Sequence, residues 1–485
     1  MEPYGNIRAL QTCGVPPAGR REETMSILIA LAGLAFLIII AYRGFSVILF
    51  APIAAMIPVL LTEPASVPAV FTGLFMERMV VFVKLYFPLF ILGAIFGKLI
   101  ELSGFSKVIV ATIIRMVGHE RAILSIVLVA ALLTYGGVSL FVVVFAVYPF
   151  AAEMFRQAAI PKRLMPATLA LGAFSFTMDA VPGTPQIQNI IPTTFFQTNS
   201  WAAPWLGTIG SLFILITGLA YLEWRRRATG SEGYGDNHIN EPALVLADHR
   251  IHPVIAFLPL ISVGLFNIVF TRLIPIAFGP VHEVSLPGLA APIVTKVPTV
   301  TAVWALEGAL LISIFMVAAL SYRRIAKTFM DGSKHAVAGA LLATMNTASE
   351  YGFGAVIAAL PGFIALRQAL QAIPNPLVNA AIVTTTLAGI TGSASGGLSI
   401  ALGAMADQFI ASAKAAGIPL EVMHRVTAMA SGGMDILPHN GAVITVLAVT
   451  GLTHRQSYGD IFVIALLKTS AVFFIIFVYY TTGLV

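Results

Sequence analysis

Residues 25–42 read MSILIALAGLAFLIIIAY, a run without a single charge. Comparable apolar stretches fill 201–223, 251–271 and 459–483. A helix needs about 20 such residues to cross the hydrocarbon of a bilayer. Only 10% of the 485 residues are charged and 58% are hydrophobic, against about 25% charged in soluble domains. No soluble core needs so much apolar surface, so the bilayer is the solvent. The chain is read as an all-α polytopic membrane protein, because a membrane β-barrel shows weak alternating segments instead.

The net charge of +6 is no nucleic-acid footprint. Its Lys and Arg lie mostly at the ends of apolar segments, where membrane topology places them. Cys13 is the only cysteine, which excludes a disulfide framework and a thiolate metal site. No metal and no cofactor is expected. Residues 1–24, polar and rich in Pro and Gly, lack the apolar core of a signal peptide and are expected to be a disordered extension.

Two apolar segments are broken alike. MDAVPGTP at 178–185 and MDILPHNG at 434–441 each set Asp ahead of Pro. They belong to a longer repeat. YGGVSL at 135–140, IPKRLM at 160–165 and MDAVP at 178–182 return as SGGLSI at 395–400, IPLEVM at 418–423 and MDILP at 434–438. From the first Gly to the Asp is 43 residues in one half (136 to 179) and 39 in the other (396 to 435). Glycine is costly inside a helix but suits a turn or a close backbone approach. The stretches holding the Gly pairs therefore read as re-entrant hairpins, 122–157 and 377–412, with tips TYGGVS at 134–139 and TGSASGGLS at 391–399. Proline removes a donor and clashes with the preceding turn, so the helices at 162–198 and 421–452 should be unwound around 179–185 and 435–441.

Paired broken segments in matching halves point to the binding site of a secondary transporter. The expected organisation is a first repeat at 25–223, a cytoplasmic linker at 224–250 and a second, inverted repeat at 251–485. Charge supports the inversion. Arg115, Arg121, Arg156, Lys162 and Arg163 make the base of the first hairpin basic and hence cytoplasmic, as they do for Arg225–Arg227 and for Arg323, Arg324 and Lys327. The base of the second hairpin, with Arg367, Lys414 and Arg425, is less basic and falls on the far side. This tracing counts roughly ten crossings plus the two hairpins, with both termini periplasmic.

GGMDILPHNGAVITVLAVTGLTHRQSY at 432–458, NTASEYGFGAVIAALPGF at 346–363 and YGGVSLFVVVFAVYPFA at 135–151 resemble the gluconate permease (GntP) family, from about residue 25 to the end. The resemblance implies proton-linked import of small hydroxy-carboxylates, such as gluconate, related sugar acids or 3-hydroxybutyrate, across a bacterial inner (plasma) membrane. It also implies the ion-transporter superfamily's inverted-repeat fold and a homodimeric scaffold.

A site for such an anion needs hydroxyls and backbone N–H groups. The tips offer Thr134, Gly136, Gly137, Ser139, Ser393, Ser395, Gly396, Gly397 and Ser399, and helix N-termini at the breaks attract anions. Thr184, Gln186, Asn189, His439 and Asn440 add polar groups from the broken helices, and Asn346 and Thr347 lie beside Glu350. Hydroxyls in membrane helices also bond backbone carbonyls, which is the plainer role for any one of them. Asp179, Asp435 and Glu350 are acids at membrane depth, where idle charge is rare. Each can carry the coupling proton, or the two Asp residues can instead cap half-helices. Sodium is the alternative coupling ion, since unwound carbonyls and carboxylates also coordinate it. A channel or an intramembrane enzyme fits less well. GAIFGK at 93–98 lacks phosphate-loop spacing, and no HExxH or CxxC is present.

Overall fold

The computed structural model describes residues 20–43, 45–118, 121–138, 140–229, 232–235, 251–364, 373–438 and 440–485. Backbone polar groups in hydrocarbon must be satisfied within their own segment, and the described chain is accordingly almost all helix. Its first half comprises α1 (Arg20–Tyr42), α2 (Val47–Thr62), α3 (Met76–Leu102), α4 (Phe105–Val117), α5 (Ala122–Tyr135), α6 (Leu140–Gln157), α7 (Met165–Ala173), α8 (Phe176–Asp179), α9 (Ile187–Phe196) and α10 (Pro204–Ala228). The second half comprises α11 (Pro253–Phe278), α12 (Val297–Ile325), α13 (Phe329–Ala359), α14 (Pro376–Thr391), α15 (Ala394–Ala415), α16 (Leu420–Ser431), α17 (Gly441–Thr450) and α18 (His454–Thr482). A small antiparallel hairpin, Val281–Val284 with Ile293–Lys296, joins α11 to α12, with Val281 opposite Lys296.

Among the described residues, five helices are long and apolar enough to cross a membrane: Pro64–Leu102, Pro204–Ala228, Pro253–Phe278, Val297–Ile325 and His454–Thr482. The inbound hairpin arms are shorter. α5 has 14 residues and α14 has 16, about 21–24 Å at 1.5 Å per residue against roughly 30 Å of hydrocarbon. α9 and α17 have 10 residues each, enough for about half the core.

The halves interlock. α3 packs along α13, α2 packs on α13, and α12 packs on α3. The outgoing arm of each hairpin lies against the broken helix of the other half, α6 on α17 and α15 on α9. The interrupted helices are thus clamped between hairpins, which is what irregular backbone needs when no water is there to satisfy it.

The two hairpin turns differ in a way the repeated letters conceal. In the first, Gly136 ends α5 and Gly137 takes φ +88°, so the Gly pair is the turn. In the second, the turn falls at Gly392, with φ +61°, and Ser393. Gly396 and Gly397 lie inside the first turn of α15. Packing demands Gly there: a Cβ at Gly396 would overlap the Glu350 carboxylate, and one at Gly397 would overlap the Ala388 backbone. Gly397→Ala should therefore force α14 and α15 apart and cost about 1–3 kcal/mol. A melting temperature within 1 °C of the unsubstituted protein, roughly the scatter of the measurement, would contradict this.

Several boundaries shift from expectation. α1 opens at Arg20, within the stretch expected to be disordered, since Arg and Glu are good helix formers. α10 runs on to Ala228, into the expected linker, and its last turn is tied down by Arg225 Nε donating to Asp460 at 2.7 Å. Residues 1–19, 236–250, Ser139, Arg367 and His439 lie outside the described residues. Two charges used to orient the chain are not surface charges at all. Arg425 is fully buried, and Lys162 is buried with its ammonium 5.7 Å from the Tyr148 ring. Each found partners inside, so neither reports on the membrane side.

Candidate functional site

The two breaks meet. Asp179 ends α8, and Asp435 sits in the turn after α16. Between them stands Lys468 of α18, whose ammonium donates to Asp435 Oδ1 at 3.2 Å and lies 3.8 Å from Asp179 Oδ2. A third contact, to the Phe174 carbonyl at 2.7 Å, anchors it. All three side chains are at most 4% exposed. Gly432 makes the approach possible, because any Cβ there would overlap the Asp179 carboxylate. Neither Asp179 carboxylate oxygen accepts a hydrogen bond among the described residues. The capping role falls elsewhere: Asn440 Oδ1 accepts the Ala442 and Val443 N–H groups at the start of α17.

A second buried cation braces the first break. The Arg425 guanidinium donates to the Asp179 carbonyl at 2.9 Å, to Asn189 Oδ1 at 3.0 Å and to the Ala202 carbonyl at 2.8 Å. Asn189 Nδ2 donates to the carbonyls of Thr184 and Ser200, which leaves Oδ1 as the acceptor. His424 Nε2, 3.3 Å from that oxygen, therefore donates, and Nδ1 accepts from the Thr198 hydroxyl at 2.6 Å. Unwound carbonyls that would otherwise be orphaned in a dry interior are thus met by side chains from the other half. Asp179, Asp435, Lys468 and Arg425 form a buried quartet of two acids and two bases.

Each tip docks on the break of its own half. Gln186 Nε2 donates to the Thr134 carbonyl at 2.7 Å, and the Tyr135 hydroxyl donates to the Pro182 carbonyl at 3.2 Å. Asn440 Nδ2 donates to the Gly392 carbonyl at 2.7 Å. Glu350 belongs to the second tip, where it accepts from Ser393 Oγ at 3.3 Å, while the Thr347 and Ser395 hydroxyls lie 3.3 Å apart. The three acids therefore split, with Asp179 and Asp435 at Lys468 and Glu350 at the tip.

The side chains of Gln186, Asn189 and Asn440 are spent on structure, and Thr184 donates to the Thr177 carbonyl at 2.6 Å. Thr134 Oγ1 and Ser399 Oγ, both fully buried, have no partner among the described residues, nor has Ser349 Oγ. Asn346 is half-buried on α13. The motifs and repeats of the sequence do not single out Lys468 or His424, and the charge pattern places Arg425 at the membrane surface. The signal for Lys468 was there: a lone ammonium inside IFVIALLKTSAVFFIIFVYY, a position where charge is costly and normally paired.

No family model matches the chain. The crystal structure of the Alcanivorax borkumensis YdaH transporter, described as having an unusual topology, superposes with a TM-score of 0.51 over 86% of this chain and 90% of that one. At 13% identity, that likeness speaks to the fold alone. In sequence, the Uncharacterized transporter YxjC of Bacillus subtilis (strain 168) is 54% identical over 472 residues, 95% of this chain and 100% of YxjC. With so much of both chains shared, this protein belongs to the transporter family of YxjC.

Proposed function

We propose that the protein is a symporter that brings a small hydroxy-carboxylate, such as gluconate, a related sugar acid or 3-hydroxybutyrate, into the cell together with a proton. The observation that carries this reading is the buried quartet at the meeting of the breaks, with Lys468 between Asp179 and Asp435. Its two negative and two positive charges cancel, and net charge buried in a low dielectric is expensive. An anion arriving alone would unbalance it. An anion arriving with a proton would not, because a proton on one carboxylate frees part of the ammonium's field for the substrate's carboxylate.

The tips supply the rest. Thr134 and Ser399 carry hydroxyls with no partner among the described residues, which suit a polyhydroxy or hydroxy acid. The resemblance to gluconate permeases supports the substrate class and, with it, a homodimer in the bacterial inner membrane. Sodium fits less well, because the Lys468 ammonium stands where one ion would bind both carboxylates.

A thermal-shift screen of the purified protein against hydroxy acids and dicarboxylates tests the class directly, since a ligand that binds only the folded state raises the melting temperature. At 100 times its Kd, a bound acid adds about 2.7 kcal/mol, several degrees of shift. Gluconate or 3-hydroxybutyrate should give it, and a screen in which only dicarboxylates without a hydroxyl do so would overturn the substrate class.

A further inference from the structure

We propose that an open cavity beside α3 and α13 is the vestibule through which the anion reaches the second hairpin, with the Tyr351 ring as its inner wall and gate. The idea rests on the anionic substrate of the preceding reading. The cavity, of about 220 Å³, is lined by Arg78, Tyr351, Ala355, Ala358, Ala359 and Gly403 among others. Its floor is made of the smallest side chains, which leaves the room. Its one charge is cationic: Arg78 is exposed and has no acidic partner within ion-pairing distance among the described residues.

Tyr351 also lines a second, inner cavity of about 10 Å³, shared with Phe82, Tyr86, Ile191, Phe195 and Ser399. That is room for about one water. A single ring thus divides the open cavity from the hydroxyl of Ser399, which is fully buried and has no partner among the described residues. The ring rests 5.9 Å from Phe82, centroid to centroid, and fills the place of a side chain at Gly403, where a Cβ would stand 2.8 Å from its Cε2. Beyond it the polar groups continue. Ser395 lies one helical turn before Ser399 on the same face of α15, within 3.3 Å of Thr347, and Ser393 donates to Glu350, the neighbour of Tyr351 in sequence. A cationic mouth, an aromatic partition and an unsatisfied buried hydroxyl follow one another toward the tip.

Cysteine labelling of the full chain tests this without requiring transport. Cys13 is the only native cysteine, so Cys13→Ser clears the background for Ala358→Cys in the vestibule and Ser399→Cys behind the ring. The probes are the anionic sulfonatoethyl and the cationic trimethylammonioethyl methanethiosulfonates, each normalised to its rate with 2-mercaptoethanol. Ala358→Cys should favour the anionic probe about tenfold, and Arg78→Gln should abolish that preference, since a charged cleft concentrates its counter-ion by about that factor. Ser399→Cys should stay unreactive with Tyr351 or Tyr351→Phe in place and become reactive with Tyr351→Ala. Ala358→Cys reactivity in the Tyr351→Ala background shows that the variant is folded. Equal rates for the two probes with Arg78 present, or an inert Ser399→Cys beside a reactive Ala358→Cys in Tyr351→Ala, would overturn the vestibule. Labelling as expected, with neither gluconate nor 3-hydroxybutyrate slowing it at Ser399→Cys, upholds the passage and counts against the hydroxy-carboxylate reading alone.

Discussion

Lys468→Met should leave little folded protein, and adding Asp435→Asn should bring much of it back. Methionine keeps the volume of the lysine stem and removes only the ammonium. Asp179 and Asp435, at most 4% exposed, would then face each other with no cation between them. Breaking a buried ion pair from one side costs about 3–5 kcal/mol, because the remaining charge stays buried and uncompensated. That is a large share of the roughly 5–15 kcal/mol that holds a typical domain folded. The double variant removes one charge of each sign and keeps Arg425, which donates to the Asp179 carbonyl, as a buried cation beside that residue, so most of the loss should be recovered. Detergent-solubilised yield and melting temperature of the four proteins in the cycle measure this directly. If the double variant is no more stable than Lys468→Met, the ammonium does not act by balancing these acids. Neither variant should accumulate substrate.

The sequence was most legible where one local signal decided one local outcome. The proline that follows Met-Asp in each break cannot continue a helix, and the chain is indeed non-helical at 180–186, at 432–438 and at 440. The Gly and Ser clusters between apolar arms mark turns, and both hairpins turn within them. What stayed hidden came from contacts across long sequence separations. Gly396 looked like the partner of Gly136 because the letters match. One is a helix end and the other a gap kept open for the Glu350 carboxylate, and no local rule separates those uses. Arg425 looks like a boundary charge because it stands a few residues after the loop that follows the second hairpin. Its partners Asp179, Asn189 and Ala202 lie more than 220 residues earlier in the chain. Lys468 reaches back 294 residues to Phe174. In a membrane interior, where charge is costly and normally paired, such pairing is a property of the assembled fold.

Uptake should survive complete removal of sodium and collapse when a protonophore is added. In proteoliposomes, an imposed inside-alkaline pH gradient should drive gluconate or 3-hydroxybutyrate accumulation about tenfold per pH unit for an electroneutral symport of one anion with one proton, because a tenfold concentration ratio is worth about 1.4 kcal/mol. The two acids should not be equivalent. Asp435 accepts a hydrogen bond from Lys468, whereas Asp179 lies 3.8 Å from the ammonium and its carboxylate accepts no hydrogen bond among the described residues. Asp179 is therefore the freer of the two to take and release a proton. Asp179→Asn should abolish gradient-driven accumulation while leaving substrate exchange within a fewfold of normal, since exchange moves no net proton. Asp435→Asn should impair both, because it unseats Lys468 as well. Accumulation that follows a sodium gradient and ignores the protonophore would move the coupling to sodium. Asp179→Asn protein that still concentrates substrate in response to the pH gradient would move the proton to Asp435 or to Glu350 at the second tip.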